Sequence, residues 1–158
     1  MKPTLENINI RTNYKAGDIG YLTYMHGRFY DFDSSFEFYV AETLAAFYKN
    51  MDPEKERFWV AENEEKIVGT IALKNTDNFA QLRYFLIDPE FRGIGLGKKL
   101  MDLFMEFFRQ SNYKSSFLLT EARLQTAAHI YGKYGYQYVS SNQTDFGLVE
   151  KRYELVLP

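Results

Sequence analysis

A mostly apolar run, Leu82 to Ile87, enters the stretch Asp88-Pro89-Glu90-Phe91-Arg92-Gly93-Ile94-Gly95-Leu96-Gly97-Lys98, and an amphipathic pattern leaves it. This junction constrains the fold more than any other part of the chain. Gly93, Gly95 and Gly97 stand at alternate positions. Without Cβ atoms they reach unusual backbone angles and bring their amides close to a ligand. A helix that begins near Gly95 has unsatisfied N–H groups and the positive end of its dipole at that point. Such an end suits an anion, pyrophosphate above all, and Arg92 and Lys98 add positive charge at its edges.

Other readings of the loop exist. A dinucleotide fingerprint requires G-x-G-x-x-G after the first strand; here the spacing is G-x-G-x-G, in mid-chain. The nucleoside-triphosphatase loop requires G-x-x-x-x-G-K-[ST]. Gly97-Lys98 could supply its Gly-Lys pair, but Arg92 stands where the first glycine belongs and Lys99 where Ser or Thr belongs. A plain strand-to-helix turn with no ligand stays open on local sequence alone.

With 158 residues the chain has the length of one domain. It contains no cysteine, which excludes disulfides, thiol nucleophiles and cysteine-ligated metals. His26 and His129 are too few, and too far from matched carboxylates, for a metal cluster, so no metal is expected. A net charge of −2 argues against a general nucleic-acid binder. There is no 18-residue apolar run, and the N-terminus lacks the layout of a signal peptide. The expectation is a soluble, cytoplasmic protein without a membrane partner.

Along the chain, Ile8–Arg11 alternates as a short strand. Asp18 is placed to cap a helix carrying Ile19, Leu22 and Met25. Asp31-Phe32-Asp33-Ser34-Ser35 breaks it, and Phe36, Val40, Leu44 and Phe47 repeat at helical spacing to about Asn50. Phe58–Glu62 and Lys66–Leu73 form a hairpin around Asn63-Glu64-Glu65. A polar loop, Asn75 to Asn78, precedes the strand Ala80–Ile87. After the glycine loop, Leu96, Leu100, Leu103, Phe104, Phe107 and Phe108 share one helical stripe. Phe117-Leu118-Leu119 is a buried strand, and a helix from about Leu124 to Tyr134 closes on Gly135. Tyr136–Ser140 and Lys151–Leu157 end the pattern as strands. The predicted order β α α β β β α β α β β describes a mixed α/β (α+β) domain around one sheet. The connection from the fourth strand through the stripe helix to the fifth should be parallel.

Two motifs in this order carry a family resemblance. Arg92-x-x-Gly95-x-Gly97 resembles the [QR]-x-x-G-x-[GA] acyl-CoA loop of the GNAT superfamily of N-acetyltransferases. The segment Ala127-Ala128-His129-Ile130-Tyr131-Gly132-Lys133-Tyr134-Gly135-Tyr136 is similar to that superfamily's A-x-x-x-Y-x-x-x-G-[FY]. Trp59–Glu62 with Ile67–Gly69 resembles its central hairpin. The resemblance covers nearly the whole chain and implies a mostly antiparallel, twisted sheet of about seven strands, with a splayed parallel pair at the CoA site and about four flanking helices. Phe36-Glu37, Val40-Ala41, Leu118-Leu119-Thr120 and Leu124 further resemble acetyltransferase domains fused to winged-helix regulators of the MarR type. The chain has no room for such a regulator and is expected to be the free-standing catalytic part.

The resemblance implies acetyl-CoA as donor and a primary amine as acceptor, with direct attack and no acyl-enzyme; the lack of cysteine is consistent with this. Amides of Gly93, Ile94, Gly95, Leu96, Gly97 and Lys98, beside Arg92, would hold the pyrophosphate. Backbone at Leu86 and Ile87 would pair with pantetheine and the acetyl carbonyl, and Tyr131 would be the general acid toward the leaving thiolate. Glu37 and Glu121 are the base candidates, each against the alternative of a solvated charge. Tyr24, Phe29, Tyr30, Phe32 and Phe36 are expected near the acceptor pocket, or to pack the core. Many relatives carry Asn where this chain has Leu124. That difference favours the other function class, a non-catalytic acyl-CoA-binding or sensing module. Monomer and homodimer are both compatible with the sequence.

Overall fold

The computed structural model describes residues 2–30, 34–121, 125–145 and 148–158. In chain order the elements are β1 (Ile8–Arg11), α1 (Asp18–Tyr30), α2 (Ser34–Asn50), β2 (Arg57–Asn63), β3 (Lys66–Thr76), β4 (Phe79–Ile87), α3 (Leu96–Gln110), β5 (Ser115–Glu121), α4 (Gln125–Lys133), β6 (Gln137–Gln143) and β7 (Val149–Val156). The strands form one seven-stranded sheet in the order β1-β2-β3-β4-β5-β7-β6. Every pairing is antiparallel except β4 with β5. The fold is therefore the expected mixed α/β arrangement, with its one parallel pair reached through α3.

Local chemistry sets the strand ends. Glu64 and Glu65 join β2 to β3 with φ of 50° and 67°, and Asp77 and Asn78 join β3 to β4 with φ of 52° and 68°. Consecutive left-handed residues make hairpin turns whose twist matches the flanking strands. Asn75 and Thr76, expected in a loop, instead extend β3 by pairing with Ala80 and Phe79. The turn needs only Asp77 and Asn78, and Asn75 Oδ1 accepts the Asn78 N–H at 3.1 Å.

Side chains alternate across the sheet and build a layer on each face. Trp59, Val68, Ile71, Leu73 and Leu82 pack with Leu96, Leu100, Met101, Phe104 and Phe108 of α3, and Tyr131 of α4 joins that layer. Phe58, Val60, Ile67, Ala72 and Leu86 face Leu22 and Met25 of α1 and Val40, Leu44 and Phe47 of α2. The α3 stripe includes Met101 and Met105, while Leu103 is only half-buried.

Two polar devices hold the ends. Asp18 begins α1 as the partner of a buried arginine: Arg11 donates to both Asp18 carboxylate oxygens at 2.8 Å and to Glu62 at 2.7 Å. At the end of α4, Gly135 has φ of 96°. Its N–H reaches the Gly132 carbonyl at 3.1 Å, and the Tyr136 N–H reaches the Tyr131 carbonyl at 3.3 Å. These two bonds form the Schellman motif, which satisfies the last carbonyls of a helix.

Candidate active site

The site begins where the parallel ladder stops. Strands β4 and β5 pair only at Ala80↔Ser116, Gln81↔Phe117 and Leu82↔Leu118. Beyond Leu82 they separate, although β4 runs on to Ile87 and β5 to Glu121. A bulge in β4 adds to the separation. Thr70 of β3 faces Leu86 while Ala72 faces Arg83, so Tyr84 and Phe85 together oppose Ile71. Tyr84 takes φ of 52° there, and its carbonyl accepts the Thr70 hydroxyl at 2.6 Å. A non-glycine residue in this region is costly and persists because its surroundings enforce it. The Tyr84 ring stacks on Phe58 and its hydroxyl donates to Thr43 at 2.7 Å.

The glycine loop lies at the far end of β4. Gly93 and Gly95 have φ of 79° and 92°, and Gly95 is the N-cap of α3. A Cβ on Gly97 would come within 3.1 Å of Ile87 Cδ1, so the helix start and the strand end approach closely. Gly93, Gly95, Arg92 and Lys98 are exposed, while the Leu96 side chain is in the core and can offer only its backbone. Lys98 is paired with Asp102 at 2.8 Å. Tyr134 of the α4 end donates to the same carboxylate at 2.8 Å and ties α4 to the first turns of α3. Burial, then that carboxylate, push the Tyr134 hydroxyl up to about 12.

A cavity of about 490 Å³ opens on the separated strands. Its walls include His26, Phe36 and Tyr39 from α1 and α2, Gln81 through Phe85 from β4, Leu119 through Glu121 from β5, Tyr131, and Asp145 and Glu150 from the β6–β7 side. Tyr131 is buried, its ring 6.1 Å from those of Phe85 and Tyr136. Tyr136 is anchored by Ser116 Oγ at 2.6 Å, and Ser116 in turn donates to the Ala80 carbonyl at 2.6 Å, at the first pair of the parallel ladder. The tyrosine motif is thus fixed to the seam between β4 and β5.

Burial lowers the His26 imidazole below the usual range, with the nearby Arg83 adding to the shift and the Leu22 carbonyl opposing it. Since a carbonyl only accepts, the Nδ1 that lies 2.7 Å from Leu22 O carries the proton, and Nε2 is the basic atom of the neutral ring. Burial raises the Glu150 carboxyl, and Arg83 partly offsets it.

The structure thus gathers Tyr131, Glu121 and Phe36 on one cavity. Glu37 is exposed on α2 and is not part of that wall. Leu86 is buried beneath α1 and α2, and Ile87 is half-buried toward α3. Tyr24 is largely exposed, Phe29 packs on the core beneath α1 and α2, and His129 is exposed on α4. Phe32, Leu124 and the Tyr30 side chain lie outside the described residues. His26, Arg83, Asp145 and Glu150 are charged or ionisable wall residues that the sequence does not bring together. Arg83 carried a signal, being the one charge inside the run that leads to the loop. Among the described residues, no His, Asp and Glu group could hold a metal, and no helix is long and apolar enough to cross a membrane.

Known proteins share this fold. The Acetyltransferase (GNAT) domain family matches residues 27–157. N-acetylaspartate synthetase of Danio rerio is 32% identical over 102 residues, which cover 63% of this chain and 36% of that protein. N-acetyltransferase 8B of Homo sapiens is 34% identical over 86 residues, which cover 51% of this chain and 38% of that protein. The chain therefore spans well under half the length of either relative. Among solved structures, an acetyltransferase from Streptococcus agalactiae superposes with a TM-score of 0.77 at 24% identity, covering 97% of this chain and 100% of that one. An acetyltransferase from Bacillus anthracis in complex with acetyl coenzyme A gives 0.61 at 19% identity, covering 71% of this chain and 69% of that one. The structural likenesses speak for the fold, and the family match covers most of the sequence. The chain belongs to the GNAT acetyltransferase family.

Proposed function

We propose that the chain transfers the acetyl group of acetyl-CoA directly to a primary amine. The observation that carries this reading is the three-pair seam between β4 and β5, which opens between the glycine loop at one end of β4 and the Tyr131 cavity beside its bulge. The B. anthracis neighbour in complex with acetyl coenzyme A and the relatives named N-acetyltransferases support it. Amides of Gly93 to Lys98, with Arg92, bind the pyrophosphate. Backbone at Leu86 and Ile87 pairs with the pantetheine arm, and an N–H there stabilises the oxyanion, a contribution of about 3 kcal/mol per donor in known cases.

The ammonium of the acceptor first loses a proton. Glu121 lines the cavity and Glu37 does not, so Glu121 is the base of this reading. The amine nitrogen then forms the C–N bond, the C–S bond breaks, and Tyr131 gives its proton to the thiolate. Tyr131 is restored by the second proton of the amine, and one proton is released to solvent per turnover. No metal takes part in these steps. The likeness to domains fused to MarR-type regulators, a cytoplasmic location and a monomer or homodimer belong to the same proposal.

Thiol release from acetyl-CoA over a panel of amines tests it. Tyr131→Phe should lower kcat by about 10²- to 10⁴-fold with little change in the KM for acetyl-CoA, and unchanged turnover would remove Tyr131 as the acid. The second reading, a non-catalytic acyl-CoA-binding or sensing module, is favoured by Leu124, which stands where the family resemblance implies Asn. It predicts acetyl-CoA binding in calorimetry with no thiol released.

A further inference from the structure

Arg83 occupies an unusual place in the cavity wall. It follows the last pair of the parallel ladder, precedes the bulged Tyr84, and is half-buried. Its guanidinium lies 4.8 Å from the centroid of the Tyr84 ring and 5.9 Å from that of Tyr39, and Nη2 donates to the Tyr39 hydroxyl at 3.1 Å. Among the described residues it forms no salt bridge, whereas Arg11 and Arg152 are each paired with carboxylates. Two aromatic rings therefore flank the guanidinium, and the Tyr39 hydroxyl takes one of its donors. A guanidinium fork matches a carboxylate with two parallel hydrogen bonds, and its planar, pre-organised shape loses little freedom in making them.

The same charge acts on its neighbours, disfavouring the cationic form of His26 and favouring the anionic form of Glu150. It equally opposes a second positive charge held beside it. The lining also carries Glu121, Asp145 and Glu150, which attract an ammonium. Phe36, Leu119 and Leu148 add apolar surface to the lining. The same cavity thus offers a cation to a carboxylate and carboxylates to an ammonium.

The geometry points to an acceptor that carries its own carboxylate, a free amino acid rather than a polyamine or a simple alkylamine, with Arg83 as the residue that binds the carboxylate and sets this specificity. This inference rests on the acetyltransfer reading and adds to it the class of the acceptor.

Matched pairs test it: L-phenylalanine against phenethylamine, L-lysine against cadaverine, with spermidine as a polycation, each at saturating acetyl-CoA. The amino acid of each pair should show a kcat/KM at least about tenfold above that of its decarboxylated partner. Arg83→Gln should bring the ratio to within about twofold while leaving the KM for acetyl-CoA unchanged. Arg83→Lys, which keeps the charge and loses the fork, should fall between. Tyr39→Phe, which removes the hydroxyl acceptor and keeps the ring, should reduce the ratio by a few fold and serves if the Arg83 variants fold poorly. Preference for spermidine or the decarboxylated amines, or an undiminished ratio in a folded Arg83→Gln protein, overturns the inference and leaves acetyltransfer intact. Binding of acetyl-CoA with no turnover of any amine in the panel overturns both.

Discussion

Replacing Gly135 with Ala perturbs the structure at one well-defined point. The residue holds φ of 96°, and an added Cβ would lie 3.0 Å from Leu155 Cδ1 with no backbone atom beyond its chain neighbours within 4 Å. The left-handed conformation costs an L-residue about 1–2 kcal/mol. The contact adds little, because the tip of the half-buried Leu155 side chain can rotate away. For a domain of this size each kcal/mol lowers Tm by about 2–4 °C, so the loss should be about 2–8 °C in a thermal melt followed by circular dichroism. Gly135→Asn separates the causes, since Asn tolerates the left-handed region better than Ala while adding the same Cβ; it should lose less than Ala. A double-mutant cycle with Leu155→Ala should show coupling below about 0.5 kcal/mol. Native-like melting of Gly135→Ala, or equal losses for Ala and Asn, would refute the argument from backbone conformation. Because the Tyr131 carbonyl accepts one of the two capping bonds, the Ala variant should also lower kcat at temperatures where it is fully folded.

Other perturbations give equally direct readouts. Arg11→Ala strands the buried Asp18 and Glu62 carboxylates and should cost about 3–5 kcal/mol in urea denaturation; a loss under 1 kcal/mol would mean that the carboxylates find water or other partners. Gly95→Ala strains the αL N-cap of α3 by about 1–2 kcal/mol, which should raise the KM for acetyl-CoA about 5- to 30-fold if the loop holds the pyrophosphate, whereas an unchanged KM would separate that loop from CoA. Burial raises the hydroxyls of Tyr48, Tyr84, Tyr113 and Tyr136 above the usual 10.0, and Tyr134 up to about 12. Raised acids favour the fold fully below the unfolded value and lose that contribution as pH climbs through the folded one. The urea midpoint should therefore hold between pH 7 and about 9 and fall above about 10, and a flat alkaline profile would contradict the burial.

The fold was readable in the sequence where periodicity and punctuation agreed. Leu96, Leu100, Phe104 and Phe108 mark α3 by their spacing alone, and Gly95 and Gly135 mark one end each of α3 and α4 because left-handed backbone favours glycine. Asp77 and Asn78 were harder: a polar cluster signals a turn but not that only its last two residues make it, with Asn75 and Thr76 still paired in β3. At the site, glycine and tyrosine motifs are contiguous and therefore visible. The cavity wall is not. His26, Arg83 and Glu150 come from α1, β4 and β7, and no spacing rule links residues brought together by strand order. The bulge at Tyr84 was equally hidden, since tyrosine gives no sign of a positive φ; the stack on Phe58 and the Thr70 hydroxyl impose it.

The short seam between β4 and β5 also has a mechanical consequence. With three paired positions in the parallel ladder, the sheet behaves as two plates, β1 to β4 and β5 to β6, joined along a narrow hinge line and by the α3 crossover. An extended ligand in the gap would act as a partial extra strand and lengthen the joint. Amide hydrogens of Arg83 to Ile87 and Leu119 to Glu121 should then exchange faster than those of β2 and β3 in the free protein, and slow together when the gap is filled.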